Sequence, residues 1–295
     1  MKRKFLIILS VILTTVGFTS KADSLTTNNS IAKGGYNFWF YNPDDVEQDE
    51  PKPVVVFLHG ASLCGNNLQK VTRYGTISAI QKGRDIDAFV IAPQNPGGSW
   101  NPKKIMDIID WAGDNYNIDY DRVYVLGMSL GGYGTIDLAA TYPDRIAAAI
   151  AMCGGASVRD LSGLKDVPLW VIHGTADNAV SVSQSDKVVN TLNGYFDGNS
   201  PRLIYNRVPG MNHSQPARMF YLTQSYDWLF KHTLKDRERK IHPVFAINDA
   251  MKTAYSDLRG KSRSKKSNTT TAKVRSSKPK TQAKAKSKKT NRRRS

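Results

Sequence analysis

Residues 121–135 read DRVYVLGMSLGGYGT, and this stretch decides the fold. The run VYVL (123–126) has the β-branched and aromatic character of a strand buried on both faces. Gly127-Met128-Ser129-Leu130-Gly131 follows at once and fits G-x-S-x-G. Gly132-Tyr133-Gly134-Thr135 then opens a helical stretch. Strand, tight turn and helix in that order form the setting in which a serine is raised above a sheet on a strained elbow. A Cβ at 127 or 131 would collide with neighbouring backbone, which is the steric reason for glycine there. The serine also sits at a helix N-terminus, where free N–H groups and the helix dipole favour developing negative charge.

The same alternation runs outward from this point. Short apolar runs predict strands at 36–41 (YNFWFY), 54–58 (VVVFL), 89–92 (FVIA), 146–152 (IAAAIAM), 169–172 (LWVI) and 203–208 (LIYNRV). Helical stretches are expected at 103–116, 132–142 and 181–192. Continuous apolar strands separated by helices imply an α/β fold: a doubly wound, mostly parallel sheet with helices on both faces. Ligands of such a sheet bind beyond the carboxyl ends of its strands. Residues 36–234 form the expected catalytic domain, closed by an amphipathic helix over 214–234. Residues 23–35 read as loose and polar, and 235–260 as an extension with one more helix.

Charge is unevenly distributed. The chain of 295 residues carries a formal charge of +17, but 15 Lys or Arg and no acid fall in 261–295. Four more basic residues and no acid lie in 1–22. What remains, 23–260, has 23 basic residues against 25 acidic ones, a net of about −2. A nucleic-acid-binding role for the body loses its main support. The tail 261–295 lacks the apolar surface needed to offset ordering entropy and is expected to be disordered. It is a candidate polyanion contact, weak per charge and salt-sensitive. At the other end, Lys2, Arg3 and Lys4 precede a short apolar run and small residues at Ser20 and Ala22. This is the pattern of a signal peptide (1–22) and implies a secreted or periplasmic protein.

A serine hydroxyl needs a base. Of five histidines, His59 and His173 end strands and His232 and His242 lie late in a charged stretch. His213 follows the last strand in PGMNH, at the same sheet edge as Ser129, and is the expected base. The acid should lie on a strand-end loop between them. Asp177, in HGTADN after the strand LWVI, fits, and its carboxylate would hold the imidazole in the right tautomer. The competing reading of Asp177 is a helix N-cap. Two N–H donors should face the oxyanion: Leu130, after the nucleophile, and either Ala61 or Ser62 in the HGAS loop. His59 is expected to support that loop. Trp100 and Gln94, in the loop after FVIA, are candidate pocket residues. Cys64 and Cys153 are too few for a disulfide-built scaffold. Two separate thiols are the expectation, a disulfide the alternative.

FLHGAS, VIAPQ, DRVYVLGMSLGGYGT, PLWVIHGTADNAV and PGMNH, in this order, resemble the α/β-hydrolase superfamily. More narrowly they resemble secreted esterases of the feruloyl esterase, poly(3-hydroxybutyrate) depolymerase and phospholipase/carboxylesterase type. The resemblance spans residues 36–230. It implies carboxylic-ester hydrolysis through an acyl-enzyme, with Ser129, Asp177 and His213 as triad, Leu130 and residues 60–62 as oxyanion hole, and no metal or cofactor. The expected partner is a small-molecule or glycan-linked ester. The rival readings are a serine peptidase of the prolyl-oligopeptidase-like type and a non-catalytic polyanion-binding protein. The basic tail departs from the family pattern.

Overall fold

Each apolar run becomes a strand because both faces of the sheet are covered. In the computed structural model, described over residues 24–43, 50–256 and 258, the elements in chain order are β1 (Ser24–Asn28), β2 (Asn37–Asn42), β3 (Lys52–Leu58), α1 (Thr76–Gln81), β4 (Phe89–Gln94), α2 (Pro102–Asn115), β5 (Ile118–Met128), α3 (Leu130–Thr141), β6 (Ala148–Met152), β7 (Leu169–Gly174), α4 (Ser183–Gly194), β8 (Leu203–Val208), α5 (Thr223–Phe230) and α6 (Ile247–Lys252). The chain divides into Met1–Lys261 and Ser262–Ser295, and every described residue falls in the first. The expected leader 1–22 and basic tail 261–295 lie outside the described residues. Among those described, no helix is long and apolar enough to cross a membrane.

The sheet has eight strands in the order β1-β2-β4-β3-β5-β6-β7-β8. β1 and β2, and β2 and β4, pair antiparallel; all the others run parallel. The α/β, mostly parallel architecture expected from the sequence is present. Side chains alternate between two cores. Val55, Phe57, Tyr124, Leu126 and Trp170 point to one face, covered by α1, α5 and α6. Val54, Val56, Val123, Val125 and Val171 point to the other, covered by α2, α3 and α4. Burial of each large apolar side chain contributes about 1.5–3 kcal/mol, so this double covering selects for the unbroken apolar runs.

Three elements differ from the sequence expectation. Residues 24–28 form an edge strand, not a loose segment; its Thr-rich sequence is polar because it pairs on one side only. β1 contributes Leu25 to the first core. The expected closing helix is broken at Leu222, whose backbone is extended (φ −87°, ψ 127°). A 3₁₀ turn, Gln215–Tyr221, precedes the break and α5 follows it. The break lets Phe220 and Tyr221 as well as Tyr226 and Trp228 face the sheet. Finally, the segment after Leu234 joins the core. The Trp228 indole N–H donates to the His242 carbonyl (2.9 Å), Phe245 meets Trp170 edge-on, and Ile247 and Met251 are buried.

The segment beyond Leu234 is therefore needed for stability. A chain ended at Leu234 is expected to lose on the order of 3 kcal/mol or more of unfolding free energy, from Ile247 and Met251 alone. Urea denaturation compared with the full chain is the measurement.

Candidate active site

β5 delivers Ser129 at its carboxyl end and α3 starts at the next residue. The turn is tight enough to put Ser129 at φ 59°, ψ −124°, a backbone state costly for any residue with a Cβ. Surrounding bonds hold it there. Ser129 N–H donates to the Met152 carbonyl (2.8 Å), and Tyr133 N–H donates to the Ser129 carbonyl (3.1 Å). A Cβ on Gly127 would overlap the Gly131 carbonyl, and one on Gly131 would overlap the Leu58 carbonyl. The glycine pattern thus reports close packing of helix against strand ends.

His213 and Asp177 meet at the same sheet edge, from the loops after β8 and β7. His213 Nδ1 lies 2.7 Å from Asp177 Oδ2. A carboxylate only accepts, so Nδ1 carries the hydrogen and a neutral ring keeps a lone pair on Nε2. The other carboxylate oxygen, Oδ1, accepts from the N–H groups of Ala179 (2.9 Å) and Val180 (2.8 Å). Asp177 thus holds its own turn through one oxygen and the imidazole through the other; it is not the helix N-cap, since α4 begins only at Ser183, after Val182. Burial raises the Asp177 pKa, but the Val180, His213 and Ala179 donors outweigh it, and the carboxyl sits below its usual range.

The loop after β3 forms a 3₁₀ turn, Ala61–Leu63. Leu63 N–H closes it on the Gly60 carbonyl (3.1 Å), so the preceding N–H groups of Ala61 and Ser62 have no partner within the turn. Leu130 likewise heads α3 with an N–H that has no carbonyl four residues back. Tyr74 fixes the loop from above by accepting the Gly60 N–H (2.8 Å). His59 fixes it from below. Its Nδ1 faces the Gly60 carbonyl (2.8 Å) and its Nε2 accepts the Asn95 N–H (3.1 Å). One donor and one acceptor lock a neutral ring, and burial takes its pKa down to about 4. His59 is thus the loop support expected from the sequence.

Ser129, His213, Ala61, Ser62 and Leu130 open into one cleft of about 700 Å³. Its remaining walls include Tyr74, Tyr133, Met128, Ala179, Val180 and Ala217, so it is mainly apolar. Trp100 and Gln94 do not line it, contrary to expectation. Each is only 3 % exposed. The Trp100 indole donates to the His59 carbonyl (3.3 Å) and packs edge-on against His59 and Tyr36. Gln94 Nε2 donates to the carbonyls of Leu63 (2.9 Å) and Asn67 (2.8 Å). Through these bonds both brace the loop after β3 and stay out of the cleft. Cys64 and Cys153 are free thiols. The Cys153 thiol, Asp177 and His213 have ligand atoms within 4.8 Å of one another. The 2.7 Å contact between the imidazole and the carboxylate leaves no room for an ion between those two groups. Cys153 is fully buried, and burial and the neighbouring Asp177 push its thiol pKa far up, which disfavours the thiolate. Reading the sequence missed Tyr74 and Tyr133, which lack any local motif.

No family model matches the chain. It is 41 % identical over 133 residues to acetylxylan esterase A of Emericella nidulans, covering 40 % of this chain and 41 % of that protein. It is 27 % identical over 172 residues to a bifunctional acetylxylan esterase/xylanase of Neocallimastix patriciarum, covering 55 % of this chain and 24 % of that one. Over 121 residues it is 31 % identical to poly(3-hydroxyalkanoate) depolymerase C of Paucimonas lemoignei, covering 35 % and 28 %. The chain therefore spans 24 to 41 % of the length of these curated relatives. Among solved structures, a thermostable esterase superposes with a TM-score of 0.57 at 28 % identity, over 72 % of this chain and 63 % of that one. S-formylglutathione hydrolase of Staphylococcus aureus gives 0.53 at 17 % identity, over 71 % and 97 %. The fold is that of the α/β-hydrolases.

Tyr74→Phe removes the acceptor of the buried Gly60 N–H. It is expected to cost about 1–3 kcal/mol and to speed hydrogen exchange at the Gly60 amide, measured by exchange NMR. An unchanged exchange rate at Gly60 would refute the support assigned to Tyr74.

Proposed function

We propose that this chain is a serine carboxylic-ester hydrolase, with Ser129 as nucleophile, His213 as general base and Asp177 as the acid that orients it. One observation carries the reading. A serine on a strained elbow and a 2.7 Å imidazole–carboxylate pair open into one apolar cleft, beside two backbone N–H groups free to take an oxyanion. The likeness to acetylxylan esterases and a polyester depolymerase, and to a solved esterase at 28 % identity, supports ester cleavage over other acyl transfers.

In this mechanism His213 Nε2 takes the Ser129 proton as Oγ attacks the ester carbonyl carbon. The resulting oxyanion is met by the N–H of Leu130 and that of Ala61 or Ser62. Collapse of the intermediate breaks the bond to the alkoxy group, which leaves as alcohol with the proton from His213. Water then attacks the acyl-enzyme, giving up its proton to the same imidazole, and the acid departs. Asp177 stays ionised and stabilises the imidazolium.

The apolar walls between Tyr74 and Tyr133 favour an ester whose acyl or alcohol group is itself apolar, free or attached to a glycan. The leader pattern at 1–22 supports action outside the cytoplasm, and the charge of 261–295 is the ground for proposing a salt-sensitive contact to polyanions there, with a merely solvated tail as the alternative.

The test is labelling by a fluorophosphonate probe, with hydrolysis of acetyl, feruloyl and short-chain nitrophenyl esters. Ser129→Ala should abolish labelling and lower kcat by about 10⁴-fold or more. Asp177→Asn should lower kcat by about 10⁴-fold through the wrong tautomer of His213. A folded wild type that neither labels nor turns over any of these esters would sink the proposal.

A further inference from the structure

Behind the loop that carries His213 lies a second pocket, of about 400 Å³. Its walls come from the end of β8, the 3₁₀ turn Gln215–Tyr221 and α6. Its polar side chains are Gln215, Arg218, Asn248 and Lys252, so the lining holds two cations and no acid.

The hydrogen-bonding groups of this lining are one-sided. A guanidinium has five N–H donors and no acceptor. Arg218 is half-buried, and its Nη1 donates to the Met251 carbonyl (3.4 Å). Among the described residues it has no carboxylate partner. Gln215 Oε1 already accepts the Asn212 N–H (2.7 Å), so its amide presents N–H₂ to the pocket. Lys252 pairs with Asp249 (2.9 Å), which lies outside the lining. Arg and Lys cannot accept, so Asn248 supplies the remaining side-chain oxygen acceptor. A ligand that completes such a pocket must itself bring acceptors. A carboxylate does so, and its two oxygens match the guanidinium fork.

The pocket and the catalytic cleft share their dividing wall. Ala217 lines the cleft, and Arg218, the next residue, lines the pocket. Gln215 closes on Asn212, and Asn212 Oδ1 accepts the Ser214 N–H (3.1 Å), so these bonds bracket His213. Met211, also in the pocket wall, gives its carbonyl to the Ala176 N–H (3.1 Å), beside Asp177. One turn of backbone therefore separates the two sites.

We propose that this pocket is an anion subsite that receives a carboxylate carried by the ester substrate, with Arg218 as its anchor and Lys252 and Gln215 as further donors. The inference rests on the ester-hydrolase reading above. The substrate is then an ester on a chain that also bears acidic groups, of the kind a uronate-containing glycan provides. The apolar cleft takes the ester group, and the pocket takes the charge and fixes how the chain crosses the turn. A neutral chain of equal length lacks the charge-assisted bonds, so the pocket discriminates between the two.

The experiment is a ¹H–¹⁵N NMR titration of the full chain, read at the Arg218 Nε–H and the Gln215 side-chain amide. Reading these atoms separates the pocket from any binding by 261–295. Trigalacturonate should shift both signals to saturation, and xylotriose, its neutral counterpart, should shift neither. In Arg218→Gln the trigalacturonate Kd, read at Gln215, should rise by about tenfold or more. Lys252 is 73 % exposed, so Lys252→Gln serves where the first variant does not fold, with an expected rise of about threefold. Trigalacturonate that moves neither signal, or that binds the folded variants as tightly as the wild type, overturns the proposal. So does binding of galacturonate monomer as tight as that of the trimer, which would make the pocket a site for a free acid. Failure of the ester-hydrolase reading shows separately, as a folded wild type that a fluorophosphonate does not label, because the titration needs no turnover.

Discussion

A methyl group at Gly131 would overlap the Leu58 carbonyl, and the site depends on that close approach. It lets the first turn of α3 press against the end of β3, so the Leu130 N–H and the loop 59–62 share one space. The cost appears in the backbone of Ser129, held at positive φ. Cys153, next to it at the end of β6, is held at φ 49°. Neighbouring strand ends share this geometry because Met128 and Met152 are in register, and each following residue bonds to a carbonyl of the next strand. The strain of the elbow is thus carried by the sheet edge and not by one turn alone.

Above that edge, the site is built in layers. Trp100 and Gln94 hold the loop 59–63 from beneath, Tyr74 holds Gly60 from the cleft side, and His59 joins the loop to Asn95. Asp177 is held by its own turn through one oxygen and by imidazoles through the other. Preorganised donors of this kind need no rearrangement as charge develops, which is where electrostatic catalysis gains most. The cleft walls, by contrast, are apolar and set by side chains from well-separated segments, Tyr74, Tyr133, Val180 and Ala217.

His59 and His173 show how much a motif leaves undetermined. Each lies at the carboxyl end of a buried strand, His59 just after β3 and His173 in the last two residues of β7, and precedes glycine. His59 meets one donor and one acceptor and is locked neutral. His173 meets the Ser185 hydroxyl on one side and the Val180 carbonyl on the other. The difference arises from Asn95, Ser185 and Val180, none of them adjacent in sequence to the ring they contact.

The sequence by itself determined the α/β class, the mostly parallel sheet, the elbow at Ser129 and the sheet edge at which His213 and Asp177 converge. It could do so because strand burial on both faces forces continuous apolar runs, and because chain order alone assigns loops to one edge of a parallel sheet. Edge strand β1 stayed hidden, since a strand paired on one side carries a polar sequence like that of a loop. Tertiary structure alone decided what surrounds the site. Trp100 and Gln94 turned inward as braces, Tyr74 and Tyr133 became cleft walls, and 235–256 joined the core through Phe245, Ile247 and Met251. The direction a loop side chain takes depends on contacts distant in sequence, such as Trp100 on Gly134 and the His59 carbonyl. No local periodicity encodes such a contact.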